Sequence, residues 1–211
     1  MHLVSSLFFG LAANLDNFGI GISYGARKIR IPLVSNFFIA LMSGAVTLVA
    51  VQAGQLLGHF LSWANTIGAL LLIGIGIWVS VHKAAVPAGE LPKGIPAMKT
   101  YSIPLKPYPL VLQIIKAPSQ ADLDSNGLIS LREASVLGLS LSLNCVATGI
   151  GAGMTGLSPV PVALSVFLFS LVTISAGYLA GWKTFSQRFE RLAQVLSGLL
   201  LVLIGIYELL N

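Results

Sequence analysis

The chain has 211 residues, is 55% hydrophobic and only 9% charged, and carries a net charge of +5 with a mean hydropathy of +0.88. That composition excludes an ordinary soluble domain, and the single cysteine, Cys145, excludes a disulfide framework. It predicts an all-α integral membrane protein in contact with the lipid bilayer.

Six apolar stretches are long enough to cross roughly 30 Å of hydrocarbon as helices: residues 3–24, 33–57, 61–82, 131–153, 159–181 and 190–210. No cleavable leader is expected, because Met1-His2-Leu3-Val4 has no basic segment and its apolar run continues as a full span. Of the 12 Lys and Arg, ten fall in the first, third and fifth connections, and Arg132 and Arg191 sit at the adjoining starts of the fourth and sixth spans. The positive-inside rule therefore predicts that this side is cytoplasmic and that both termini lie outside the cell membrane. The positive charge is read as topology and lipid contact, with no nucleic-acid partner.

The first span contains Asn14-Leu15-Asp16-Asn17. A carboxylate at membrane depth is costly unless it meets a cation, a partner or a water-filled cavity, so Asp16 is a candidate functional residue. In a regular helix Asn14 and Asp16 point about 200° apart. Gly19, Gly21 and Gly25 after this motif, and Gly149, Gly151 and Gly153 in the fourth span, are expected to permit local unwinding toward one cavity. The second span ends on Gly54-x-x-x-Gly58, a close-packing pair. His59 and His82, near span ends, read as interfacial.

Val86 to Pro118 is proline-rich and predicts an extended cytoplasmic linker, in which Leu110 to Lys116 is left undecided between strand and interfacial segment. Within the connection 83–130 and running into the fourth span, Asp122-Leu123-Asp124-Ser125-Asn126-Gly127-Leu128-Ile129-Ser130-Leu131-Arg132-Glu133 fits the twelve-residue EF-hand loop. Asp122, Asp124, Asn126, the Leu128 carbonyl, Ser130 and Glu133 are its candidate ligands, for Ca²⁺ or Mn²⁺. The same residues also make a helix start, since Ser130-x-x-Glu133 is a capping box.

The second half repeats the first. Gly10 to Asp16 aligns with Gly138 to Asn144, Gly177-x-x-x-Gly181 mirrors the pair of the second span, and Leu203 to Ile206 mirrors Leu72 to Ile75. Three crossings per repeat make the second copy, 131–211, inverted relative to the first, 1–82. Asp16, Asn14, Asn17, Ser142 and Asn144 then form an all-oxygen candidate site for a hard divalent cation.

This order of features resembles the small bacterial manganese efflux pumps, and the inserted Asp-x-Asp-x-Asn-Gly-x-Ile segment resembles that family's sporulation-associated membrane branch. The resemblance implies that Asp16 is the ion-binding aspartate of the first span, that Asn144 replaces its fourth-span counterpart, and that Asn17 and Cys145 replace small residues. The expected function is secondary export of a divalent cation, Mn²⁺ first, around Asp16. The alternative is a sporulation-associated scaffold or sensor with a Ca²⁺- or Mn²⁺-responsive loop. No nucleotide-binding loop or hydrolase pattern points to an enzyme. A homo-oligomer is left open.

Overall fold

Apolar segments removed from water must pair every backbone N–H and C=O internally, and the helix does so within one segment. The computed structural model describes residues 2–85, 121–124, 126–183 and 187–210. Its helices are α1 (His2–Ala26), α2 (Leu33–Phe60), α3 (Ala64–Ala85), α4 (Leu131–Met154), α5 (Pro159–Lys183) and α6 (Gln187–Leu210). No strand occurs among the described residues, only an isolated bridge between Arg30 and Leu128. Pro32 caps α2, and Pro159 opens α5, where a missing N–H breaks no helical bond. The linker 86–118, with Leu110 to Lys116, lies outside the described residues.

Among the described residues five helices, α1 to α5, are long and apolar enough to cross a membrane. The sixth expected span is met as a helix, α6, of 24 residues, in which the described stretch Val195–Leu210 is apolar.

The helices expose apolar side chains and bury their polar ones among apolar core residues such as Phe9, Ile39 and Leu72. On α2, Leu33, Phe37, Leu41 and Val49 are exposed, whereas Asn36, Ser43 and Thr47 are buried. In water that distribution would be inverted; against lipid it places each polar group where another helix can bond it. Asn36 Nδ2, for example, donates to the Leu171 carbonyl at 3.1 Å and to Ser175 Oγ at 2.9 Å.

The two halves interlock. The extensive contacts join helices of opposite halves: α1 with α5 and α6, α2 with α4 and α5, and α3 with α4 and α6. Within the first half α2 and α3 touch only lightly, and α1 and α4 meet in one small contact. Exchanging α1 with α4, α2 with α5 and α3 with α6 leaves this set of pairs unchanged.

Small residues make these approaches. A Cβ on Gly21 would lie 2.5 Å from the Ile174 carbonyl, and one on Gly149 would lie 2.8 Å from Ala50 Cβ. Gly181 abuts the Ile22 carbonyl as Gly54 abuts that of Ile150. Gly58 is only in ordinary contact, 3.6 Å from Ala64 Cβ, so the close-packing pair of α2 is Ala50 and Gly54, one turn earlier than the Gly54 and Gly58 expected from spacing.

Candidate functional site

The glycines after the two polar motifs do not unwind their helices. Residues 2–26 and 131–154 are continuous helix, and Gly21, Gly25, Gly149 and Gly153 serve close packing instead. The polar residues therefore keep the directions that a regular helix dictates, and each meets a different neighbour.

Asn14 is fully buried and faces α5, its Nδ2 donating to the carbonyls of Gly10 at 2.8 Å and Val166 at 3.1 Å. Asn17 Nδ2 donates to Asn14 Oδ1 at 2.8 Å. Asp16 faces α4. Its Oδ2 accepts from Asn144 Nδ2 at 2.6 Å, and its Oδ1 accepts from the Asn17 backbone N–H at 2.9 Å. Both Asp16 and Asn17 are buried. Four of the five expected membrane-site residues are thus linked as two coupled pairs, Asn14 with Asn17 and Asp16 with Asn144. Ser142 is buried on α4, but its hydroxyl turns back to the Leu139 carbonyl at 2.8 Å.

The arrangement is a buried carboxylate that accepts from the side-chain amide of Asn144, itself exposed, and from the backbone N–H of Asn17. Such a group has a donor set suited to a hard cation once Asn144 turns its oxygen inward, and the paired amide hydrogen compensates the charge meanwhile.

At the other end of α4 the loop closes on itself. Gly127 N–H donates to Asp122 Oδ2 at 3.2 Å, Asn126 N–H to Asp124 Oδ1 at 3.2 Å, and Leu128 N–H to Asn126 Oδ1 at 2.7 Å. Gly127 has φ +76° with open space around its absent Cβ, so the turn needs glycine for backbone conformation and not for room. Carboxylate oxygens of Asp122, Asp124 and Glu133 lie within 4.8 Å of one another. Glu133 is the N3 half of a capping box: Oε2 accepts from Ser130 N–H at 2.9 Å and Ser130 Oγ at 2.7 Å, while Oε1 accepts from Leu123 N–H at 2.8 Å. Asp122 Oδ1 is buried without a hydrogen-bond partner.

The loop is also stitched to the first half. Arg30 N–H donates to the Gly127 carbonyl at 2.8 Å, Ile129 N–H donates to the Arg30 carbonyl at 3.0 Å, and Ser35 Oγ donates to the Ile129 carbonyl at 2.7 Å. The Ala121 N–H donates to Tyr24 Oη at 3.3 Å. The turn between α1 and α2 thus forms an isolated parallel bridge with the loop, Arg30 beside Leu128.

Sequence spacing missed Glu208, buried on α6 with Oε1 unpartnered, and the buried, unpartnered hydroxyls of Ser43 and Ser170. A carboxylate within the last apolar run was the available signal for the first. Nothing in the sequence separates these two serines from others that bond their own helix.

A family model described as "Putative manganese efflux pump" matches residues 1–79 and 110–209. "Probable sporulation protein YtaF" of Bacillus subtilis is 34% identical over 211 residues, covering 99% of this chain and 100% of that protein. "Putative manganese efflux pump MntP" of Methanoregula boonei is 26% identical over 216 residues, covering 98% and 95% respectively. The protein of that name from Clostridium perfringens is 21% identical, covering 100% of this chain and 95% of its own length. No solved structure matches the chain.

Proposed function

Because the chain belongs to the manganese efflux pump family, we propose that it is a secondary transporter exporting a divalent cation, Mn²⁺ first among them, through the site around Asp16. The observation that carries this reading is the buried carboxylate of α1 in contact with the amide of α4 at 2.6 Å. Alternating access needs a site between elements that move relative to each other, and α1 and α4 otherwise barely touch.

In this reading the six helices form two inverted three-helix repeats with both termini outside and the basic connections in the cytoplasm. The interchangeable helix pairs and the matching contacts of Gly181 and Gly54 support the inversion. Entering cation would displace the Asn144 amide hydrogen from Asp16 and take oxygens of Asp16 and Asn144, while Asn14 and Asn17, bonded to each other, tie α1 to α5. Proton exchange fits the same carboxylate, which trades one positive charge for another.

The loop from Asp122 to Glu133 is the second proposed cation site, for Ca²⁺ or Mn²⁺. Its support is the EF-hand spacing together with the unpartnered Asp122 Oδ1. Its junctions to Arg30 and Tyr24 connect it to α1 as well as to α4, so occupancy would stiffen the cytoplasmic ends of both helices that carry the membrane site.

A second reading, a sporulation-associated scaffold or sensor with little transport, draws on the name of the Bacillus subtilis relative and on the neutral Asn144 opposite Asp16. Mn²⁺ flux through proteoliposomes separates the two. Flux in the wild type that is lost in Asp16→Asn is expected; a wild type without flux overturns the transport reading.

A further inference from the structure

A serine or threonine inside a helix has a ready acceptor in the carbonyl three or four residues back. The chain uses it repeatedly: Thr47 on Ser43, Ser135 on Leu131, Ser142 on Leu139, Thr148 on Asn144 and Thr173 on Phe169. Ser43 and Ser170 do not. They are 1% and 0% exposed, and neither Oγ has any hydrogen-bond partner. A buried hydroxyl left unpaired is costly, so each position asks for a partner.

Their positions explain why this matters. Ser170 lies on α5 one turn after Val166, whose carbonyl accepts from Asn14, and one turn before Ile174, whose carbonyl covers Gly21. It therefore lies along the stretch of α1 that holds Asp16 and Asn17. Ser43 lies on α2 between Met42, which covers Gly138, and Thr47, whose carbonyl faces Gly149. It lies along the stretch of α4 that holds Ser142 and Asn144. The exchange of halves that carries Gly181 onto Gly54 also carries Ser170 onto Ser43, and α2 and α5 touch one residue away at Gly44, whose Cβ would sit 3.1 Å from Phe167 Cβ. Two unrelated packing faults would not fall at equivalent places beside both polar motifs.

We infer that Ser43 and Ser170 are a symmetric pair of hydroxyl ligands for the transported cation, one from each half, left unpaired because the cation or its water shell is their partner. This rests on the transport reading above and extends its site from α1 and α4 to α2 and α5. A hydroxyl oxygen is a hard donor for Mn²⁺; a thiolate at the same place is soft and favours Cd²⁺.

The test uses the full chain with Asp122→Ala in every sample, which removes the loop site, and titrates Mn²⁺ alone and Cd²⁺ alone. Ser43→Ala and Ser170→Ala should each weaken Mn²⁺ binding about tenfold without lowering the thermal midpoint, since each removes an unpaired group. Ser43→Cys and Ser170→Cys should shift the Cd²⁺ to Mn²⁺ affinity ratio toward Cd²⁺ by about tenfold relative to the parent, which shares Cys145. Loss of Mn²⁺ binding in Asp16→Asn, with all four serine variants unchanged, overturns the hydroxyl proposal and leaves the Asp16 site standing. Binding unaffected by Asp16→Asn overturns both.

Discussion

Asn144 donates its amide hydrogen to the Asp16 carboxylate at 2.6 Å across 128 positions of sequence, which joins the centres of two helices that make almost no other contact. A negative charge in a membrane interior is thereby held by a neutral donor. Asn144→Asp would set two carboxylates at hydrogen-bond distance, where they share a proton or repel until a cation lies between them. The variant is expected to melt below the wild type without divalent cation, to melt above it with Mn²⁺, and to bind Mn²⁺ at least ~tenfold more tightly. A melting point indifferent to Mn²⁺ would count against a cation site at this pair.

Close packing between α1 and α5 depends on Gly21, where an added methyl would meet the Ile174 carbonyl at 2.5 Å and Gly177 Cα at 3.0 Å. Backbone atoms cannot step aside as a side-chain tip can, so Gly21→Ala is expected to cost about 2–3 kcal/mol. Gly74 on α3 has nothing within 4 Å of its absent Cβ. Gly74→Ala should be neutral or stabilise by up to ~1 kcal/mol through helix propensity. Reversible unfolding in detergent compares them, and equal stabilities would refute the packing assignment.

The helices were legible because they follow directly from continuous apolar runs, and their ends fell within a few residues of those expected. The meeting of Asp16 with Asn144 was legible because the two lie at the same place in similar motifs. What the glycines do was not. Gly21 and Gly149 read equally well as points of unwinding or of helix contact, and only the neighbouring backbone at Ile174 and Ala50 decides for contact. The register of α2 was misread for a related reason: alanine at position 50 does what Gly177 does in the other half, and glycine spacing alone points to Gly58. The interlocking of halves was hidden as well, because a hydropathy pattern says where a helix lies in the chain and not which helix it lies against.

At the loop, the backbone of Gly127 and the carboxylate of Asp122 can be tested separately. Gly127→Ala adds a methyl into open space but forces an L residue to φ +76°, a cost of about 1–2 kcal/mol. Asp122→Ala removes the unpartnered oxygen and the acceptor of the Gly127 N–H. Calorimetric titration with Ca²⁺ is expected to show weakened heats in the first and none from the loop in the second. Unchanged heats in Asp122→Ala would leave the loop as a helix cap only.

Arg30 tests whether the loop speaks to the membrane site. Its N–H and carbonyl hold Gly127 and Ile129, and this bridge links the loop to the turn that ends α1. Arg30→Pro removes the N–H donor at 2.8 Å while leaving the carbonyl and every loop ligand in place. If the bridge transmits loop occupancy, Ca²⁺ will still bind the loop in this variant, with affinity lowered by about tenfold at most, but will no longer alter Mn²⁺ affinity at Asp16. Arg30→Ala keeps the N–H and should behave as wild type, which separates the backbone bond from the side-chain charge. Coupling of equal size in Arg30→Pro and wild type would show that the signal passes through α4 alone, where Glu133 and Asn144 share one continuous helix.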